Sequence, residues 1–157
     1  RARPKGEIVS APVGDHSIAA QIGQRCRELG FTRTRFCSVG EGLDIARYTG
    51  SSGNDTFTAQ VGASSMVYAG FSISVSRFDR HFATGGAGTG DIAELIDSTG
   101  LDNFVASGNV GALSGPGFLE QATGFDIVRI RGINGGSNFL GITNPLAFTL
   151  QQFGTWI

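Results

Sequence analysis

Six acidic side chains hold most of the chemical potential of this chain: Asp44, Asp55, Asp91, Glu94, Asp97 and Asp102. Grouped carboxylates do two kinds of work. They bind a hard cation such as calcium, which takes about six to eight oxygen ligands. They also serve as acid and base on a glycosidic bond. Asp91, Glu94, Asp97 and Asp102 form the one cluster dense enough for glycan chemistry. Yet Asp91 and Asp102 recur as Asp44 and Asp55, which marks them as scaffold.

Other catalytic groups are sparse. His16 and His81 are the only histidines, and neither sits in HExxH or in a metal-ligand spacing. Gly62-Ala63-Ser64-Ser65-Met66 lacks the second glycine of a nucleophile elbow. The Gly-rich stretch 85–91 runs into a strand pattern, whereas a phosphate-binding loop needs a helix after it. The sequence therefore predicts a non-enzyme with no catalytic, cofactor-binding or metal residue assigned. Asp55, Asp91, Asp97 and Asp102 read as turn residues that satisfy local backbone N–H groups. Calcium at those four is the open alternative.

The elements that must position these groups repeat. Asp44-Ile45-Ala46 recurs as Asp91-Ile92-Ala93, 47 residues on and without a gap. Ser51, Gly53, Asp55, Phe57 and Ala59 recur as Ser98, Gly100, Asp102, Phe104 and Ala106. Gly70-Phe71, Phe78-Asp79, Gly85 and Gly88 recur as Gly117-Phe118, Phe125-Asp126, Gly132 and Gly135. Two units follow, 44–90 and 91–137. Each alternates apolar and polar residues in short runs parted by turn chemistry, so both predict strands. The fold class is all-β: a short β-solenoid or β-roll of two 47-residue repeats, with a β-sandwich as the alternative. In the solenoid, Phe57 would stack on Phe104 and Phe71 on Phe118.

The ends differ. Residues 1–43 read as an N-terminal arm and capping segment. Ile18, Ile22, Cys26 and Leu29 share one face of a short helix over 15–29, and Phe31–Val39 reads as a strand. Gly30-Phe31 and Phe36 echo Gly70-Phe71 and Phe78 at a shorter spacing, a degenerate earlier unit. Residues 138–157 form a C-terminal cap. There Leu146, Leu150, Phe153 and Ile157 fit a helix, and an alternating FTLQQF strand competes. His81 aligns with Val128 and Phe82 with Arg129. Phe82 is thus exposed for a partner, packed, or displaced by a one-residue strand slip.

Composition bounds the function. The chain has 157 residues, a net charge of −1 and only 16% charged residues, so no field favours nucleic acid or an anionic membrane. No apolar run reaches the length of a membrane span. Gly (25) and Phe (12) are abundant and Lys5 is the only lysine, which suits turn-rich β structure. Seven of the 12 basic residues lie in 1–43, a solvated segment or a contact for an acidic partner. Cys26 and Cys37 would close a short loop if the protein is secreted. Asn54-Asp55-Thr56 is a glycosylation sequon and equally an ordinary turn. The start at Arg1 reads as a processed or trimmed product.

Gly50-Ser51-Ser52-Gly53-Asn54-Asp55-Thr56-Phe57 resembles one calcium-binding RTX nonapeptide, and Gly85–Asp91 is a looser echo. The wider series, GTGDIAELIDSTGLDNFVAS to LSGPGF to GFDIVRI, resembles long repeats in large secreted and surface proteins of planctomycete-like bacteria. The resemblance covers residues 44–137 and implies an extracellular, non-catalytic role. The Gly/Asp turns here are separated, whereas RTX sites need them in immediate tandem. The expectation is an extracellular or cell-surface structural protein that self-associates into a fibre or surface assembly, through strand edges and the N-terminal arm. The alternative is a calcium- or carbohydrate-dependent adhesion module. The partners expected are further copies of the chain, with a glycan as the other ligand.

Overall fold

Apolar residues at every second position must face one way once the backbone is extended, and this chain keeps that alternation in nearly every segment. The computed structural model describes residues 33–37 and 42–157. The elements there are strands throughout: β1 (Arg33–Cys37), β2 (Ile45–Thr49), β3 (Thr56–Gln60), β4 (Ala63–Tyr68), β5 (Phe71–Ser76) and β6 (Arg80–Thr84). They continue as β7 (Ile92–Ile96), β8 (Leu101–Gly108), β9 (Val110–Gly115), β10 (Phe118–Thr123), β11 (Ile127–Gly132), β12 (Ser137–Leu146) and β13 (Thr149–Gly154).

The strands form two mixed sheets, in the orders β1-β5-β4-β3-β7-β11-β13 and β12-β8-β9-β10-β6-β2. We call the first sheet B and the second sheet A. Within each unit, the second to fourth strands form an antiparallel meander, β3-β4-β5 or β8-β9-β10. Two-residue turns help close it. Ala69-Gly70 and Pro116-Gly117 are equivalent, and the glycines take φ of 74° and 82°, which a type II turn demands at its third position. The first and last strands of each unit cross to the opposite sheet. The first unit thus places its meander in sheet B, and the second places its meander in sheet A.

Units are joined by parallel pairing, and the registers repeat. Thr56 pairs with Ile92 across β3/β7, and Asn103 with Phe139 across β8/β12. Each of these pairs is the other displaced by 47 residues. The same holds at the start of the chain. Arg33 pairs with Ser72 across β1/β5, and Arg80 with Leu119 across β6/β10. β1 is therefore the last strand of an earlier unit, at the full 47-residue spacing and not the shorter one that Gly30-Phe31 suggested.

The inward rows of both sheets make one core. It includes Phe57, Met66, Ile73, Leu95, Val128 and Ile130 from sheet B, and Tyr48, Ala83, Phe104, Leu113 and Phe118 from sheet A. Ring contacts cross the layers, as between Tyr48 and Phe57, whose centroids lie 5.5 Å apart.

Four expectations are settled by this layout. The all-β class holds. The coil of a solenoid gives way to two sheets, because three strands of each unit pair antiparallel within one sheet. Phe57 and Phe104 do not stack as a ladder; they are buried from opposite sheets. The C-terminal helix is replaced by β12 and β13. Thr149 N–H bonds Asp126 O at 2.9 Å and starts a parallel ladder on β11, which pairs the edge of β11 as a helix could not. The helix over 15–29 lies outside the described residues, as does nearly all of the arm.

Candidate assembly interface

The carboxylates come first, because they hold the places where the chain changes sheets. Asp44, Asp55, Asp91, Asp97 and Asp102 are all buried. A buried carboxylate needs donors, and four of these five use turn donors. Ser98 N–H and Oγ–H donate to Asp102 at 2.8 Å each, and Gly100 N–H donates to Ser98 Oγ at 2.9 Å. Ser51, Gly53 and Asp55 repeat the arrangement at the other crossing. Asp91 reaches back into the preceding unit, where it accepts Asp55 N–H at 2.8 Å and Gly86 N–H at 3.0 Å. Its own N–H donates to Asp126 at 2.8 Å, as that of Asp44 does to Asp79.

The next seam solves the same problem with different residues. Position 50 is Gly in unit one, and a Cβ there would lie 2.4 Å from Gly86 N. Its counterpart is Asp97, which accepts Ile133 N–H at 3.0 Å and Asn134 N–H at 2.9 Å. Ile133 is the counterpart of Gly86, so the same amide is now held by another carboxylate. The counterpart of Asp91 is then Asn138, whose Nδ2 donates to Asp97 at 3.1 Å. An aspartate there would set two carboxylates against each other.

The carboxylates of Asp55, Asp91, Asp97 and Asp102 thus accept N–H and O–H donors from the turns. Among the described residues, no three His, Cys, Asp or Glu side chains converge as a metal group would require. Glu94 stands apart on the outer face of sheet B, paired with Arg131 at 2.6 Å. Asn54 is on an exposed turn. Cys37 ends β1 half-buried, while Cys26 and His16 lie outside the described residues. Phe82 is half-buried beneath the Arg47 guanidinium, 4.6 Å from its ring centroid. β6 shows no slip, since β2/β6 and β7/β11 keep equivalent registers. The aromatics suited to a glycan platform are turned away: Tyr48 and Tyr68 are buried, and Trp156 lies edge-on to Phe104.

Two further buried polar groups come from the structure: the sequence aligns His81 with Val128 without giving it partners, and Glu120 was not singled out from it. In unit one, His81 Nε2–H donates to Phe78 O at 3.1 Å, because a carbonyl can only accept. Nδ1 then accepts from Ser64 Oγ at 2.6 Å, and Ser64 Oγ accepts from the Tyr48 hydroxyl at 2.9 Å. Burial lowers the His81 pKa to about 4, against smaller opposing effects of the Phe78 carbonyl and Asp79. Burial likewise raises the Tyr48 hydroxyl's. Unit two has Leu95, Gly111 and Val128 at these three positions, an apolar set throughout. The second group is Glu120, which replaces Ile73 and is fully buried with no hydrogen-bond partner on either oxygen. Burial pushes its pKa up to about 9, the Ile96 backbone pulls it down and Asp102 adds to the rise. The carboxyl is therefore neutral at pH 7. Comparing the units position by position across the 47-residue spacing is the signal that exposes both.

What remains accessible is backbone. Each sheet ends in strands that pair on one side only among the described residues: β1 and β13 in sheet B, β2 and β12 in sheet A. β1 and β2 form the N-terminal end of the sandwich; β12 and β13 form the C-terminal end. The tail partly covers β12, where Ile157 N–H donates to Asn138 O at 2.9 Å and Leu140 N–H to Ile157 O at 2.7 Å. Phe139, Ile142, Phe153 and Ile157 are exposed at the C-terminal end, and Val61, Val67, Leu101 and Val105 are exposed elsewhere. Strand edges of this kind are templates for further strands.

Two predictions follow from the buried groups. Ser64→Gly alone leaves His81 Nδ1 without its partner and costs about 1–3 kcal/mol, while the Tyr48 hydroxyl keeps the residue-64 carbonyl 3.3 Å away. Combining it with Tyr48→Leu and His81→Val, the set of unit two, recovers most of that loss in urea unfolding. The pH profile has two limbs. His81 has its pKa depressed in the fold, so its contribution is lost as pH falls from about 6.5 to about 4. Glu120 has its pKa raised, so stability is lost as pH rises from about 4.3 to about 9. The two slopes oppose one another up to about pH 6.5, and only the alkaline decline remains above it. Glu120→Gln flattens that decline, worth on the order of 4 kcal/mol by pH 7, and His81→Val flattens the acid limb. An unchanged alkaline decline in Glu120→Gln would refute the assignment.

Comparison with known proteins returns no match: no family model, no curated protein and no solved structure resembles this chain closely enough to be aligned with it.

Proposed function

We propose that this chain is a non-catalytic structural protein of the cell surface or extracellular space, and that it self-associates through its strand edges with help from the N-terminal arm. The observation that carries the reading is the repeated parallel seam. Units inside the chain are joined by strand pairing in one register, and among the described residues both ends of both sheets present the same kind of edge. A surface that already joins unit to unit suits the joining of copy to copy. The arm would add strand to a neighbour's edge, as in β-augmentation. The extracellular placement rests on the resemblance of 44–137 to repeats of secreted and surface proteins.

One observation favours a second reading, a glycan-binding module. A groove of about 330 Å³ crosses the outer face of sheet B, lined by Thr58, Gln60, Ser65, Ser74 and Ser76 with Arg35 at its side. Hydroxyls, an amide and a guanidinium suit a polyhydroxylated ligand, although the groove has no aromatic platform.

Negative-stain electron microscopy of the purified chain, with and without a calcium chelator, separates the readings. The structural reading predicts ordered filaments or sheets in both conditions. Monodisperse particles under both conditions would contradict it. Monodisperse particles that also shift a glycan array would favour the second reading.

A further inference from the structure

The repeat gives the outer faces an internal control. An outward position where the two units differ, with no neighbour to compensate, is not dictated by the fold. On sheet B, Arg35, Ser74, Ser65 and Thr58 are cross-strand neighbours along one line, from β1 through β5 and β4 to β3. With strands about 4.8 Å apart, that line spans about 14 Å. Its counterparts 47 residues on are Phe82, Gln121, Ala112 and Val105, which form the same line on the outer face of sheet A. The backbone thus accepts Phe, Ala and Val where unit one and β1 carry a guanidinium and two hydroxyls. The polar set answers to something other than folding.

These four residues line the groove on sheet B. Among the described residues, no side chain bonds those of Arg35, Ser74, Ser65 or Thr58. Elsewhere on the same face arginines are engaged: Arg131 pairs with Glu94 at 2.6 Å, and Arg129 donates to Gln151 at 2.8 Å. A row of hydroxyls suits a sugar, but no aromatic ring lines the groove for a sugar to pack on. Affinity must then come from charge-assisted hydrogen bonds, and the guanidinium fork fits a planar carboxylate or a tetrahedral oxyanion. No carboxylate is among the lining residues. The next residue along the line is Glu94, opposite Thr58, and Arg131 already neutralises it.

Resting on the glycan reading of this groove, we propose that its ligand is an acidic polysaccharide. The strand lies across β5, β4 and β3, with a carboxylate or sulfate of one sugar on Arg35 and the hydroxyls of the following sugars on Ser74, Ser65 and Thr58. The acidic unit sits at the β1 end, away from Glu94. The site occupies a sheet face, so it does not compete with pairing at strand edges.

The test is isothermal titration calorimetry of the full chain, at low and at physiological salt. The probes are neutral, uronate and sulfated oligosaccharides of equal length. The expected result is that an acidic oligosaccharide binds at least about 10-fold tighter than its neutral counterpart, the worth of one charge-assisted hydrogen bond, and that salt narrows the gap. The uronate and sulfated arms tell which anion the fork takes. Arg35→Gln erases the preference. Thr58→Val and Ser65→Ala, the residues of unit two, weaken binding of every oligosaccharide and leave the urea unfolding midpoint unchanged. Should Arg35→Gln unfold, Arg35→Phe places the unit-two residue there and tests the same contact. If neutral and acidic oligosaccharides bind equally and Thr58→Val weakens both, the glycan reading stands and the acidic ligand is wrong. If Arg35→Gln keeps the preference, the anion lies elsewhere and the proposal is wrong. If inorganic sulfate or a single-stranded oligonucleotide displaces the oligosaccharide at equal concentration, the groove is an unselective anion contact and the proposal is again wrong. If no oligosaccharide binds, the glycan reading itself fails.

Discussion

The fold depends on satisfying backbone N–H groups at the points where the chain leaves one sheet for the other. A meander can close with ordinary turns. A crossing cannot, because it carries its amides through the rim of the core, where unpaired donors cost about 1–3 kcal/mol each. Asp55, Asp91, Asp97 and Asp102 accept those donors. The carboxylates that looked most chemical in the sequence are thus committed to holding the two layers together. Asp55 and Asp102 are equivalent between the units, which fits this, since the crossing geometry is what the two units share.

The seams show how a repeat tolerates change. Gly50 with Asp91 is replaced by Asp97 with Asn138, and the same amide position stays bonded. Tyr48, Ser64 and His81 are replaced together by Leu95, Gly111 and Val128, so no buried partner is left alone. Glu120 is the exception. It stands where the first unit has Ile73, and it persists buried by giving up its charge. A fully satisfied polar set or an apolar set is stable in such a core, and a partial one is not.

Much of this was legible in the sequence. The 47-residue spacing, the strands of both units and the turn role of the aspartates follow from which residues recur and with what period. The solenoid expectation came from the ungapped register, which reports that units stack and not how each folds within itself. Leu146, Leu150, Phe153 and Ile157 match a helical face, and short apolar segments do not distinguish helix from strand by spacing. There the free edge of β11 decided the matter, a tertiary partner that local sequence does not encode. Sheet order was illegible for the same reason. The pairing of β1 with β5, across the 33 intervening residues 38–70, has no local signature.

The central claim is that buried carboxylates clamp the crossings. Amide hydrogen exchange at single-residue resolution tests it directly. The account predicts that the N–H groups of Ser51, Gly86, Ser98, Ile133 and Asn134, all outside the strands, exchange as slowly as those of the core strands β8 and β9. Exchange at the rate of exposed loop amides would show that the carboxylates do not hold the crossings, and the explanation for the repeated aspartates would fall.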